Sequence, residues 1–194
     1  MSISKRVAEA VEKMARGDTE GSLFQICSAL DATAAQLYGK GGGKSYRDFI
    51  HENLEIITHA ALGFSILNLN LQYDINANRP AGMAPIPPDA NGLFSVEQIF
   101  YHAVRCCLYH EAKLPSDLTF DEKPIIDVKP EGLVLPASLV YGLIAAVVAC
   151  PINVGERVND AYGINVEGVQ IPLNKLWGKR DELRALYAAM QPFR

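Results

Sequence analysis

A chain of 194 residues that is 49% hydrophobic and 21% charged is long enough for one domain, or one and a half. It is too apolar to be a disordered charged tail. Eighteen Lys and Arg stand against 22 Asp and Glu, a net charge of −4 with both signs interspersed. A protein that binds nucleic acid along its whole length is normally basic, so any phosphate site here is a local patch. Met1 to Lys13 has no apolar h-region, and the most apolar stretch, Leu139 to Cys150, falls short of the roughly 20 residues of a membrane span. The expectation is a cytoplasmic protein with no membrane partner. Cys27, Cys106, Cys107 and Cys150 show no Cys-x-x-Cys spacing and read as small buried side chains, with a redox switch at the vicinal Cys106–Cys107 pair as the alternative.

In chain order, Val7, Val11 and Met14 recur at helical spacing up to Gly17. Asp18 is a good N-cap for a second helix carrying Leu23, Ile26, Cys27, Leu30, Ala34 and Leu37, stopped by Gly39. Ser45 and Asp48 match a capping box that opens a third helix, with Phe49, Ile50, Leu54 and Ile57 inward. Leu67 to Tyr73 alternates at period two and predicts a strand. Residues 74–94, with Pro80, Pro85, Pro87 and Pro88, read as a long break, a lid, a binding loop or a disordered insert. Ser95 and Gln98 form a second capping box for a fourth helix, Val96 to about Lys113, closed by Pro115.

Beyond that point the pattern shortens. Strands are predicted at 118–120, 125–128 and 133–135, then a buried helix over 137–150 with Pro136 in its first turn and Pro151 at its end. Ile164–Val166 and Val169–Ile171 read as a hairpin across Glu167-Gly168, and Leu183, Leu186, Tyr187 and Met190 mark a last amphipathic helix. The fold class is α+β and predominantly α: a four-helix N-terminal half (1–114), then a strand-rich half (115–194) with a small antiparallel sheet and two further helices, all in one domain.

Gly39 to Ser45 imitates a phosphate-binding loop, but Tyr38 stands where the pattern needs glycine and a helix, not a strand, precedes it. A helix–helix connector fits better, with Lys40, Lys44 and Arg47 as a modest basic patch. The histidines fall as His51/His59 and His102/His110, without the i, i+4 spacing of a helical metal site, so no metal or other cofactor is expected.

The segment Tyr101-His-Ala-Val-Arg105-Cys-Cys-Leu-Tyr-His110-Glu111 carries Arg-x4-His late in a helix that follows the long loop. It resembles the HEPN superfamily, small helical domains with an Arg-x4–6-His signature, over roughly residues 1–114. The resemblance implies a metal-independent endoribonuclease of toxin or phage-defence type, acting as a homodimer on RNA, with an antitoxin or regulatory protein as a further partner. It implies Arg105 as phosphate clamp and His110 as general acid/base. His102 and Tyr109 fall on the Arg105 side of the helix and are auxiliary contacts, with exposed surface as the alternative, and Glu111 beside His110 is a further auxiliary residue. The chemistry suits those residues. RNA cleaves itself when its 2′-hydroxyl attacks the adjacent phosphorus, so the enzyme supplies proton transfer, which a histidine does near neutral pH, and charge neutralisation, which an arginine fork does.

On an ideal helix Arg105 and His110 lie about 140° apart. His110 falls near the apolar stripe of Val96, Phe100, Ala103 and Cys107, with Arg105 opposite and Asp31 or Asp48 as acidic partners from facing helices. The alternative reading is therefore a buried His110 in a non-catalytic homo-oligomeric interaction or regulatory module. The acidic net charge and Cys106, in place of the family's polar residue after Arg, favour that alternative.

Overall fold

The computed structural model describes residues 2–77, 84–166 and 169–190. Ser2 accepts from the Lys5 amide and opens α1 (Ile3–Ala15), whose Ile3, Val7 and Ala10 are buried. The Asp18 carboxylate accepts from the Gly21 amide at 2.8 Å and starts α2 (Thr19–Tyr38), which Gly39 ends in the left-handed conformation. Both signals act as the sequence predicts.

The third helix differs from expectation in two ways. It begins at Gly43, as α3 (Gly43–Glu52), with no side-chain cap; Ser45 is buried and Asp48 instead pairs with Lys44 at 2.6 Å. It also breaks at Asn53, after which α4 (Leu54–Leu62) runs on. Asn53 is fully buried, and its Nδ2 donates to the Phe49 carbonyl at 2.8 Å. A side chain that takes a backbone acceptor competes with helix continuation, and this residue does so where the helix is interrupted.

The alternation at 67–73 yields only β1 (Asn70–Leu71), paired antiparallel with β2 (Phe94–Ser95). Leu71 and Tyr73 are buried, while Leu67 is 67% exposed. The strand stays short because its partner turns helical at Val96, whose amide still donates to the Leu69 carbonyl at 2.9 Å. Part of the long break, 78–83, lies outside the described residues. Across its base, Asn76 donates to the Ile86 carbonyl and accepts from the Ile86 amide, both at 2.9 Å.

In the second half β3 (Leu118–Asp121), β4 (Asp127–Lys129) and β5 (Gly132–Pro136) form a sheet in the order β3-β5-β4. The expectation of a purely antiparallel sheet is corrected: β4–β5 is antiparallel, β3–β5 parallel. After the β4–β5 turn, the open edge of β5 is taken by the preceding strand, which runs the same way. At that junction the Leu133 amide donates to the Asp117 carbonyl at 2.8 Å, and a Cβ on Gly132 would lie 2.0 Å from the same oxygen. Only glycine fits there. The hairpin is β6 (Gly163–Val166) with β7 (Val169–Pro172), its turn lying outside the described residues.

The core of the helical half is supplied by the other half. α7 (Leu139–Ala149) packs on α4, α2 and α1, and its residues are buried on nearly every side. Pro136 ends β5 rather than entering this helix, and Pro151 follows its end. Helices α4 and α7 approach closely enough that a Cβ on Gly142 would sit 2.3 Å from the Ile57 carbonyl oxygen. α8 (Arg180–Ala189) closes the far side through Leu183 and Tyr187, the latter stacked on buried His59 with ring centroids 4.1 Å apart. One hydrophobic cluster runs from Ile3 to Tyr187. The fold is α+β and predominantly helical. Among the described residues no helix is long and apolar enough to cross a membrane.

Candidate functional site

The helix that bears the Arg-x4-His pair changes pitch in its middle. The Ser95–Gln98 capping box forms in both directions and opens α5 (Val96–Ile99). A π-helix follows over Phe100–Cys106, then α6 (Cys107–Glu111), which ends at Ala112 in the left-handed conformation. Wide turns of this kind are rare and concentrate at functional sites. The predicted stripe Val96, Phe100, Ala103 and Cys107 is buried.

On another face Tyr101, Arg105 and Tyr109 follow one another at intervals of four. Positions four apart are offset by about 40° on an α-helix and come closer to alignment on the wider π turn. A run of ring and guanidinium contacts results. Phe24 of α2 stacks on Tyr109 with centroids 5.0 Å apart. The Arg105 guanidinium carbon is 4.5 Å from the Tyr109 ring centre and 5.5 Å from that of Tyr101. Arg47 of α3 meets the same Tyr101 ring at 5.3 Å. All are cation–π or ring-stacking distances.

This run also explains the glycines that imitate a phosphate loop. Gly39 caps α2, Gly42 has φ +113°, and a Cβ on Gly43 would lie 2.6 Å from the Tyr101 ring. The loop is glycine-rich because the chain reverses there and because Tyr101 lies against its backbone.

Arg105 is held from α2. Its Nε donates to Asp31 Oδ2 at 3.0 Å, and both side chains are largely buried. Of the two acidic partners expected for it, Asp31 takes the role, and Asp48 faces Lys44 instead. Burial pushes the Asp31 carboxyl above its ordinary value, only partly offset by the Arg105 charge. For Arg105 burial also works against the charge, yet Asp31 more than offsets it, so the guanidinium stays protonated. Both values move up, which favours the charged form of the guanidinium and disfavours that of the carboxyl.

Arg105 and Tyr109 line an open groove of about 540 Å³ with Arg6, Ser28, Asp31 and the Gly41–Gly42 turn. The Tyr109 hydroxyl makes a short hydrogen bond to Ser28 Oγ, and Ser28 in turn donates to the Phe24 carbonyl. Arg6 donates to Gln25 at 2.7 Å.

His110 does not line this groove. It is exposed, as is Glu111, which corrects the reading of a buried core histidine. The packed stripe ends before the last turn of α6, and the π segment has shifted the helical phase ahead of it. His102 is half-buried, its Nδ1 lacks a hydrogen-bond partner, and burial, then the Arg47 charge, push its pKa down to about 4. It is neutral near pH 7 and lies outside the groove.

The four cysteines are buried thiols. Burial raises Cys27 to about 12 and Cys107 to about 11, and Tyr46 donates to Cys27 Sγ at 3.2 Å. Thiols held so high lack the thiolate that redox exchange needs. Among the described residues no group of three or more His, Cys, Asp or Glu is gathered as a metal site.

A second groove, of about 570 Å³, is lined by Arg47 together with His51, Asp89, Ser95 and Glu97. His51 Nδ1 is 3.4 Å from Glu97 Oε1; the histidine is 56% exposed and the carboxylate 18%. His59, the other member of the predicted His51/His59 pair, is buried under Tyr187 instead. Sequence reasoning missed Tyr101, Arg6 and Glu97. Only Tyr101 had a local signal, its spacing of four from Arg105.

No curated protein and no solved structure matches the chain. The family model described as Rv1289 matches residues 2–194, and the chain therefore belongs to the Rv1289 family.

Proposed function

We propose that the protein is a HEPN-like, RNA-directed protein of the cytoplasm that grips the backbone of single-stranded RNA in the Arg105 groove. The observation that carries this reading is Arg105 itself. A guanidinium fixed by Asp31 and flanked by Tyr101 and Tyr109 lines an open groove beside a second arginine, Arg6. A pre-positioned fork of donors is suited to a phosphodiester, and clustered cations with aromatic rings are the usual means of holding a single strand. The charged residues of the groove are Arg6, Arg105 and Asp31, an excess of one positive charge on an acidic protein.

The endoribonuclease form of the reading, with His110 as general acid/base, asks more of the fold. His110 is exposed outside the groove, so a homodimer must bring the partner protomer's histidine to Arg105. A non-catalytic interaction or regulatory module, bound by an antitoxin-like partner, is the second reading; the pairing of Arg105 with Asp31 and the position of His110 favour it. Anisotropy of a labelled single-stranded RNA, with and without Arg105→Ala, tests the binding claim. Incubation of the same RNA in EDTA tests metal-independent cleavage.

A further inference from the structure

We propose that the proton-transfer histidine of this protein is His51, with Arg47 as its phosphate clamp and Glu97 as its positioning residue, in the second groove. The proposal deepens the RNA-directed reading and rests on it. Arg47 and His51 are four residues apart on α3 and so share one face, which Arg105 and His110 do not. Both line the same groove of about 570 Å³. Glu97 enters from α5 and faces His51 Nδ1 at 3.4 Å. A carboxylate on Nδ1 selects the tautomer whose Nε2 is free to accept a proton, the arrangement by which a histidine base is oriented. The contact is long for a hydrogen bond, as in many unliganded sites that tighten on substrate. Other charged groups facing His51 from this groove are Asp48 on α3 and Asp89 on the 84–95 segment.

One arginine of each groove lies over the same ring: Arg105 and Arg47 contact Tyr101 at 5.5 and 5.3 Å. In this proposal a strand gripped at Arg105 runs past that ring to His51. There His51 Nε2 takes the proton of a ribose 2′-hydroxyl as its oxygen forms a bond to phosphorus. The P–O5′ bond breaks, the departing 5′-oxygen takes a proton from solvent, and Arg47 meets the charge on the non-bridging oxygens. The products are a 2′,3′-cyclic phosphate and a 5′-hydroxyl, and His51 later returns its proton to water.

The test uses the full chain in EDTA with a labelled single-stranded RNA and its all-2′-deoxy counterpart, reading binding by anisotropy and cleavage by gel. Wild type is expected to cut the RNA and leave the deoxy strand whole. His51→Ala and His51→Gln should each lower cleavage by about 10²-fold or more with binding unchanged. Glu97→Gln should lower kcat at constant KM, and Glu97→Asp should recover part of the rate. Cleavage at the wild-type rate in both His51 variants overturns the proposal, as does a loss confined to His110→Ala. Binding without any wild-type cleavage overturns the proposal and leaves the RNA-directed reading standing. Absence of RNA binding by the wild type removes that reading and this one together.

Discussion

Asp31 Oδ2 accepts from Arg105 Nε at 3.0 Å across the α2–π-helix junction, with the two side chains 24% and 21% exposed. The contact decides which way the guanidinium faces, and with the Ser28–Tyr109 hydrogen bond it is one of the long-range polar ties between the second helix and the motif helix. Removing one partner strands the other. Asp31→Ala should therefore cost about 1–3 kcal/mol, read from urea denaturation midpoints. Asp31→Asn should cost less, because ionising this carboxyl against burial itself opposes folding at neutral pH. Equal losses in the two variants would contradict that account.

Gly142 marks a close approach of α7 to α4. A methyl group there would meet the Ile57 carbonyl oxygen at 2.3 Å, and backbone cannot step aside cheaply. Gly142→Ala should destabilise by about 1–3 kcal/mol through overpacking, although alanine is the better helix former. A calorimetric melting temperature at or above wild type would show that the helices separate freely.

Val147 lies in the last turn of the same helix and is fully buried. Val147→Asp places a carboxylate where nothing pairs with it, and a loss of several kcal/mol is expected from thermal melts. An unchanged melting temperature would contradict the position of α7 as the shared core of both halves.

His102 is held neutral, its pKa pushed from 6.5 to about 4 by burial and then by the Arg47 charge. A lowered folded-state pKa means that its contribution to stability is complete above 6.5 and is lost as pH falls through about 4. Wild type should lose stability over that window, and His102→Gln should lose less of it. Parallel stability–pH curves for the two proteins would contradict the assignment.

The helices with local punctuation were legible from the chain itself. Asp18, Gly39 and the Ser95–Gln98 box each acted as their chemistry predicts. What failed depended on tertiary pairing. The break at Asn53 follows from a buried side chain taking the Phe49 carbonyl, and nothing in the local pattern announces it. The parallel β3–β5 pair depends on which edge of β5 lay open, again a non-local fact. At the site, Arg105 could be named from its motif and Asp31 offered as its partner. The π segment and the Tyr101 contacts were hidden, because periodicity reads an α-helix and has no term for a change of pitch.

The central claim is that Arg105 grips RNA, and the most direct measurement is the anisotropy of a labelled single-stranded RNA titrated with wild type and Arg105→Ala at two salt concentrations. The wild type should bind, with affinity falling as salt rises. Arg105→Ala should bind at least about tenfold more weakly, with a salt slope smaller by about one ion. Equal affinity and equal slope for the two proteins would contradict the claim.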